Sequence, residues 1–455
     1  MIGVGLLGLL SLVVVWTYLN RRLFGDPVSP FNLLLLGWVG PLALRGLHLS
    51  DQERAWPLST VALMVVVSVM LALGIVLLRP RSTSVTPRQR SLFLQLMEEL
   101  RRPSLLLALA AIYVVSFIAY LYNEFYTNPV GIPVIAYLRD PTTALGNYHR
   151  WGKEEGRTFG LYLSLPLQVL IPLWYVAYRA NRGRPMARWF LVFVLAYPVM
   201  SLLKLSRSDV LAVAISIGLT EHYIRLYAEP ARAFRFTPAR LARYGAMAVL
   251  LIVALNSLLL VRAGFSAGGR GFADLIGLRV DAGPLSSTIG EIYGYVAMPV
   301  ENFANVLRLD LHGSFIGVGP LRPLFSLLGQ SGLAEARMEH LDLDAVLLYP
   351  INTYSFLTLT YVELGIAGVI IVPFCYGLFI GALYRRFRNR PTVVALSLYL
   401  VFLPCWLWLF AINGFGVLSF YLQAAFVLMF VVLARALQLI ARRTPGFAGR
   451  RGYAT

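Results

Sequence analysis

Runs of about twenty predominantly apolar residues recur along this chain, and no other feature restricts its fold so strongly. A run of that length crosses the roughly 30 Å hydrocarbon layer as a helix, which satisfies its own backbone hydrogen bonds where there is no water. Such runs fall near 2–19, 31–47, 58–78, 104–122, 159–178, 189–205, 209–224, 245–261, 364–384, 392–411 and 417–438. They predict an all-α polytopic membrane protein with about eleven transmembrane helices. No β-barrel alternation is visible. Composition agrees: of 455 residues 58% are hydrophobic and 14% charged, with a mean hydropathy of +0.69, more apolar surface than a soluble fold can hide. The first run is too long for a secretory leader and lacks its basic flank and small-residue cleavage site, so it is expected to be an anchor.

Arginines fall on alternate connections: Arg21 and Arg22, then 79–102, 179–188, 225–243, 385–390 and the tail beyond 438. Short loops rich in Lys and Arg stay in the cytoplasm, which predicts an external N-terminus and a cytoplasmic C-terminus. The +18 net charge then lies mostly on the inner face, against anionic lipid. Nucleic acid is not an expected partner, since no soluble basic domain is present. The remaining connections, 48–57, 123–158, 206–208, 262–363 and 412–416, are expected outside. The chain 1–455 reads as one integral membrane domain with an external loop at 123–158 and a larger one at 262–363, between the eighth and ninth spans. Within the larger loop, 283–307 is half apolar yet carries Glu291, Glu301, Asn302 and Asn305, which suits an interfacial or re-entrant helix. A second half-apolar piece, 345–362, is placed to pair with it; if both crossed, the spans would number about thirteen and the sidedness of every later segment would be unchanged. Cys375 and Cys405 fall inside spans, so neither a disulfide framework nor a metal site is expected.

External arginines run against the topological trend. Arg207, Arg262, Arg270 and Arg279 lie near the expected outer surface, with Lys204 close by. A guanidinium fork matches phosphate geometry with paired hydrogen bonds. Taken singly, each is as readily a snorkelling anchor or a partner for a carboxylate such as Asp209; four together favour an anionic ligand.

Residues 351–384, INTYSFLTLTYVELGIAGVIIVPFCYGLFIGALY, resemble the C-terminal signature of bacterial oligosaccharide repeat-unit polymerases, the Wzy-type O-antigen and exopolysaccharide polymerases. Asn352, Tyr354, Ser355, Phe356, Tyr361, Gly365 and Gly368 match it, with Gly377 and Gly381 in the span after them. Glu363 stands where that family carries Asp, and Leu364 where it carries Phe. Ser206-Arg207 before an apolar run and Ser29-Pro30 opening an early one are also similar to family members.

The resemblance implies a glycosyltransferase of the bacterial inner membrane with its active site facing the periplasm. A glycan on undecaprenyl pyrophosphate is transferred to the terminal sugar of a lipid-linked repeat unit, and undecaprenyl pyrophosphate is released. Arg207 is the first candidate to hold the departing pyrophosphate, with Arg262, Arg270 and Arg279 next. The candidate bases for the acceptor hydroxyl are Glu291, Glu363, His312 and His340. Burial on an apolar segment would raise the pKa of Glu291, although the same carboxylate could serve as an ion-pair partner. Asn352, Tyr354, Tyr361 and Tyr295 are candidate sugar contacts, with Tyr293 and Trp151 as further stacking surfaces. No cofactor, metal or sugar nucleotide is expected; the implied partners are lipid-linked glycans, the bilayer and a chain-length regulator protein. An O-antigen ligase shares donor and topology and differs in taking lipid A core as acceptor. A lipid-linked glycan flippase or a transporter would line its spans with charge or carry internal repeats. Glu221 and His222, on the expected inner side, read as packing or surface residues.

Overall fold

A computed structural model describes residues 2–125, 163–203, 207–229, 272–283, 286–312, 317–328, 355–411 and 414–443. Among these residues the regular structure is helical, with no strand beyond an isolated bridge between Ser50 and Leu278. Three helices are long and apolar enough to cross a membrane: α4 (Leu58–Leu77), α6 (Pro103–Phe125) and α14 (Phe356–Asn389). Around them stand α1 (Ile2–Leu23), α7 (Pro166–Ala180), α8 (Ala187–Leu203), α9 (Arg207–Ala228), α15 (Val393–Leu407) and α16 (Leu418–Arg443). The chain is an all-α protein of membrane-spanning character. The expected run at 245–261 lies outside the described residues.

The run at 31–47 is a composite. Ser29 caps α2 (Pro30–Leu34) by accepting the Asn32 N–H at 3.2 Å, and Pro30 occupies the first turn, where its missing N–H costs nothing. The helix then widens into a π turn at Leu35–Val39 before α3 (Gly40–Arg45). Sequence had suggested only a connection at 79–102, but Thr86 and Gln89 form a capping box around Pro87 and start the amphipathic α5 (Pro87–Glu99).

The packing axis is the pair α4 and α14. A side chain at Gly74 would strike the backbone of Phe374 and Leu378, and one at Gly377 the backbone of Leu71, so two glycines let the helix backbones touch. The glycines of the sequence signature thus serve close packing where lipid offers no hydrophobic drive.

The arginine-rich connections meet one another. Arg101 donates to the Ala180 carbonyl at 2.8 Å, Arg179 pairs with Glu229 at 2.9 Å and Glu221 at 3.0 Å, and Arg225 with Glu221 at 2.7 Å. At their centre Asp26, fully buried, accepts from Val28 N at 3.0 Å and Tyr384 Oη at 2.8 Å and pairs with His222 Nε2 at 2.9 Å. Burial pushes the Asp26 carboxyl up, but the hydrogen bond and charge of His222, the Arg388 charge and the Val28 N–H outweigh it and hold the carboxyl at about 2. His222, buried against Asp26, and Glu221, half-buried between Arg179 and Arg225, thus make polar contacts as well as packing.

Within the expected 283–307 segment the described residues form two helices, α11 (Ser286–Val296) and α12 (Met298–Arg308), broken at Ala297 because Pro299 can sit only in the first turn of a new helix. The short α10 (Phe272–Leu275) lies against α11, where a side chain at Gly290 would strike the backbone of Ala273. Glu291, Glu301 and Asn302 are buried in protein. The partner segment is also helical from Phe356: α14 runs through Glu363, eight residues ahead of the expected span, and is bent at Gly365, whose φ of 62° and ψ of −157° lie outside the helical region. The early turn holds Thr360, which donates to the Phe356 carbonyl at 2.7 Å, and Glu363, which accepts from backbone amides. The two pieces meet where Ser355 N donates to the Pro299 carbonyl at 3.3 Å and where Phe303 packs edge-on to Tyr361.

Candidate functional site

Loop 46–57 closes over α11 and α12 through a buried carboxylate. Glu301, with no exposed surface, accepts from Arg45 Nε at 2.9 Å, Arg45 Nη2 at 2.7 Å, Trp56 Nε1 at 2.7 Å and Arg54 N at 3.3 Å. The Arg45 guanidinium lies 4.1 Å from the Trp56 ring centroid. Beside it Glu53 accepts from Tyr293 Oη and, at 3.1 Å, from Ser50 N, and burial raises its carboxyl above the ordinary value. The loop is further tied by Arg279, whose Nε meets Asp51 Oδ1 at 2.7 Å while its backbone N–H donates to the Leu49 carbonyl at 2.8 Å. This last ion pair is exposed.

A second carboxylate organises the opposite end of α12. Glu363, buried on α14, accepts backbone N–H groups from Gly317, from Gly319 at 3.0 Å and from Leu321 at 3.2 Å. The segment 317–321, which leads into α13 (Arg322–Leu327), lies so close that a side chain at Gly319 would strike both the Leu359 carbonyl and Glu363 itself. Both oxygens of Glu363 are thus engaged in holding a loop.

On the next turn sits the most reactive arrangement among the described residues. His312 Nδ1 lies 2.9 Å from Asp310 Oδ1, and the same oxygen accepts from Tyr361 Oη at 2.8 Å. The imidazole packs 5.5 Å from the Tyr361 ring, and its Cδ2 lies 3.5 Å from where a Gly365 side chain would begin. Gly365 takes a positive φ that side chains disfavour, and a Cβ there would only touch the histidine ring. Asp310 itself holds φ at 52°, which places its carboxylate beside the ring. A carboxylate at Nδ1 selects the tautomer with the proton there and leaves Nε2 as a proton acceptor. His312 is 47% exposed, open enough to meet a ligand from solvent.

Of the site residues expected from sequence, the structure brings His312 and Tyr361 together, and places Glu363 on the same helix as Tyr361 but engaged with the 317–321 loop. Glu291 is buried on α11, and Tyr295 packs beside Tyr293 and Met298. Arg279 sits with Asp51 on the neighbouring loop. Arg207 opens α9, with its side chain outside the described residues, as are Arg262, Arg270, His340, Asn352, Tyr354 and Trp151. Sequence reasoning missed Arg45, Trp56, Glu53 and Asp310. An arginine ending one apolar run and a glutamate on a half-apolar helix are the signal that could have paired Arg45 with Glu301; Asp310 stands two residues from a histidine already singled out.

No family model, curated protein or solved structure matches the chain.

Proposed function

We propose that this protein is an inner-membrane glycosyltransferase that joins undecaprenyl-pyrophosphate-linked repeat units into a surface polysaccharide. The observation that supports this most is the Asp310–His312 pair resting on Tyr361 and Gly365, two positions of the segment that resembles the repeat-unit polymerases. In this reading about eleven spans cross the bilayer, the arginine-rich connections face the cytoplasm, and the end carrying Glu301, Glu363 and His312 faces the periplasm.

His312 Nε2 takes the proton of the acceptor hydroxyl as that oxygen attacks the anomeric carbon of the donor glycan, and Asp310 stabilises the imidazolium that results. The bond from the anomeric carbon to the diphosphate oxygen breaks, a glycosidic bond forms, and undecaprenyl pyrophosphate leaves with the bonding electrons. Arg207, Arg262, Arg270 and Arg279 bear the growing negative charge. Arg279 is available for this because an exposed ion pair such as that with Asp51 is worth only about 0–1 kcal/mol, little for a diphosphate to displace. Glu363 holds the 317–321 loop, and Glu291 remains the alternative base. Asn352, Tyr354, Tyr361 and Tyr295 contact sugars, and a chain-length regulator acts on the assembled enzyme. An O-antigen ligase would use the same dyad with lipid A core as acceptor.

The test is a reaction of purified protein with lipid-linked repeat units, resolved by size. Wild type yields a ladder of polymers, and His312→Gln lowers its rate by about 10²–10⁴-fold, the usual contribution of a positioned base. A ladder formed at wild-type rate by His312→Gln would remove the proposed base, and transfer to lipid A core without a ladder would make the protein a ligase.

A further inference from the structure

Away from the site just described, a small cavity lies among α7, α9, α15 and α16; its lining is largely apolar, carries no charged side chain and includes four polar ones. Gln168, Ser216, Ser397 and Gln423 contribute side chains to it. Ser397 is 2% exposed, and its hydroxyl has no hydrogen-bond partner. A buried hydroxyl left unpaired costs free energy, and native structures almost always satisfy it. The two amides are already committed to each other and to a tyrosine: Gln423 Nε2 donates to Gln168 Oε1 at 3.3 Å, and Gln168 Nε2 to Tyr197 Oη at 3.1 Å.

The backbone adds to this set. Pro172 inside α7 and Pro404 inside α15 have no N–H, so the carbonyls one turn earlier, at Gln168 and Leu400, lose their helical donors. Both residues line the cavity. In apolar surroundings a helix carbonyl freed in this way must be satisfied from elsewhere. The residues that own these two carbonyls thus line one cavity together with two serines and two glutamines, whose amide nitrogens are already donating.

We propose that this cavity binds an alkali cation, Na⁺ or K⁺, through oxygens of Gln168, Ser216, Ser397, Leu400 and Gln423. Neutral carbonyl and hydroxyl oxygens replace the hydration shell of a monovalent ion, whereas Ca²⁺ draws on carboxylates, which the lining lacks. Broken hydrogen-bond ladders next to polar side chains are a recurrent way for membrane proteins to hold Na⁺. The ion ties four helices together.

The test is thermal unfolding of the full-length protein in detergent, titrated with NaCl or KCl against choline chloride at constant ionic strength. One alkali cation raises the unfolding midpoint saturably and choline does not, and the arm that responds identifies the ion. Pro404→Ala returns an N–H to the Leu400 carbonyl and weakens the apparent affinity by about tenfold, as does Ser397→Ala, the size expected for one lost ligand. Equal midpoints in all three salts would overturn the proposal and leave the cavity to water, as would a cation response that both variants retain. If a variant fails to fold, the comparison of salts on the wild-type chain still decides.

Discussion

At the scale of single residues, the chemistry turns on which atoms are already committed. Glu363 and His312 were equally eligible as bases from sequence, yet Glu363 spends both oxygens on the amides of Gly317, Gly319 and Leu321, while no described residue bonds His312 Nε2. In the proposed reaction Asp310→Asn should therefore lower the polymerisation rate by weakening the hold on Nδ1–H of His312, and a wild-type rate in that variant would reduce Asp310 to a structural role. Glu363→Gln instead acts through the loop: one oxygen becomes an NH₂ group facing a backbone N–H, and the variant is expected to lose stability by about 1–3 kcal/mol, read as a lower unfolding midpoint. For Arg207 the expectation comes from fork geometry, so Arg207→Lys should fail nearly as badly as Arg207→Ala in the polymerisation assay. Polymers of wild-type length from the lysine variant would remove Arg207 from the diphosphate site.

Among elements, helices were legible in proportion to their apolar length. The runs at 58–78 and 104–122 became α4 and α6 almost unchanged, because a long uncharged run has few alternatives to a helix. Elements stabilised by distant partners were harder to read. Arg45 and Glu301 are 256 residues apart, and nothing local in either segment announces the pair. The extension of α14 back to Phe356 was hidden because Glu363 looks wrong for a span until the 317–321 loop that satisfies it is in place. Removing one partner of a buried ion pair leaves the other uncompensated, so Arg45→Met alone should cost about 3–5 kcal/mol, whereas Arg45→Met with Glu301→Leu should recover most of it. At the arginine-rich end Asp26 behaves as a carboxylate held below its ordinary value of 3.8. Its contribution is complete above about pH 4 and is lost as pH falls toward about 2, amounting to about 2 kcal/mol at neutral pH. Unfolding midpoints of wild type and Asp26→Asn should differ most near pH 7 and converge below pH 3; a constant difference would show that the Asp26 charge is not what matters.

For the whole molecule, sequence patterning and structure agree in one respect that no single helix shows: connections expected on the same side of the bilayer are the ones that touch. Arg101 reaches Ala180, Asp26 reaches His222 and Tyr384, and at the other end Arg45 reaches Glu301 and Arg279 reaches Asp51. What sequence could not supply is depth. Glu301, on a segment expected to be interfacial or re-entrant, proves fully buried in protein, whereas Leu309 is 55% exposed at the end of α12. A Leu309→Cys chain lacking its native cysteines should react with a membrane-impermeant thiol reagent in intact spheroplasts, and an Arg88→Cys chain only after lysis. The central proposal is that guanidinium groups at the His312 end hold a diphosphate while the dyad activates the acceptor. The most direct measurement is an experimental density map of the protein with polyprenyl diphosphate bound. The head group is expected at the His312 end, within hydrogen-bonding reach of Arg207 or Arg279. A head group seated at the other end, beside Asp26 and Arg388, would contradict that claim.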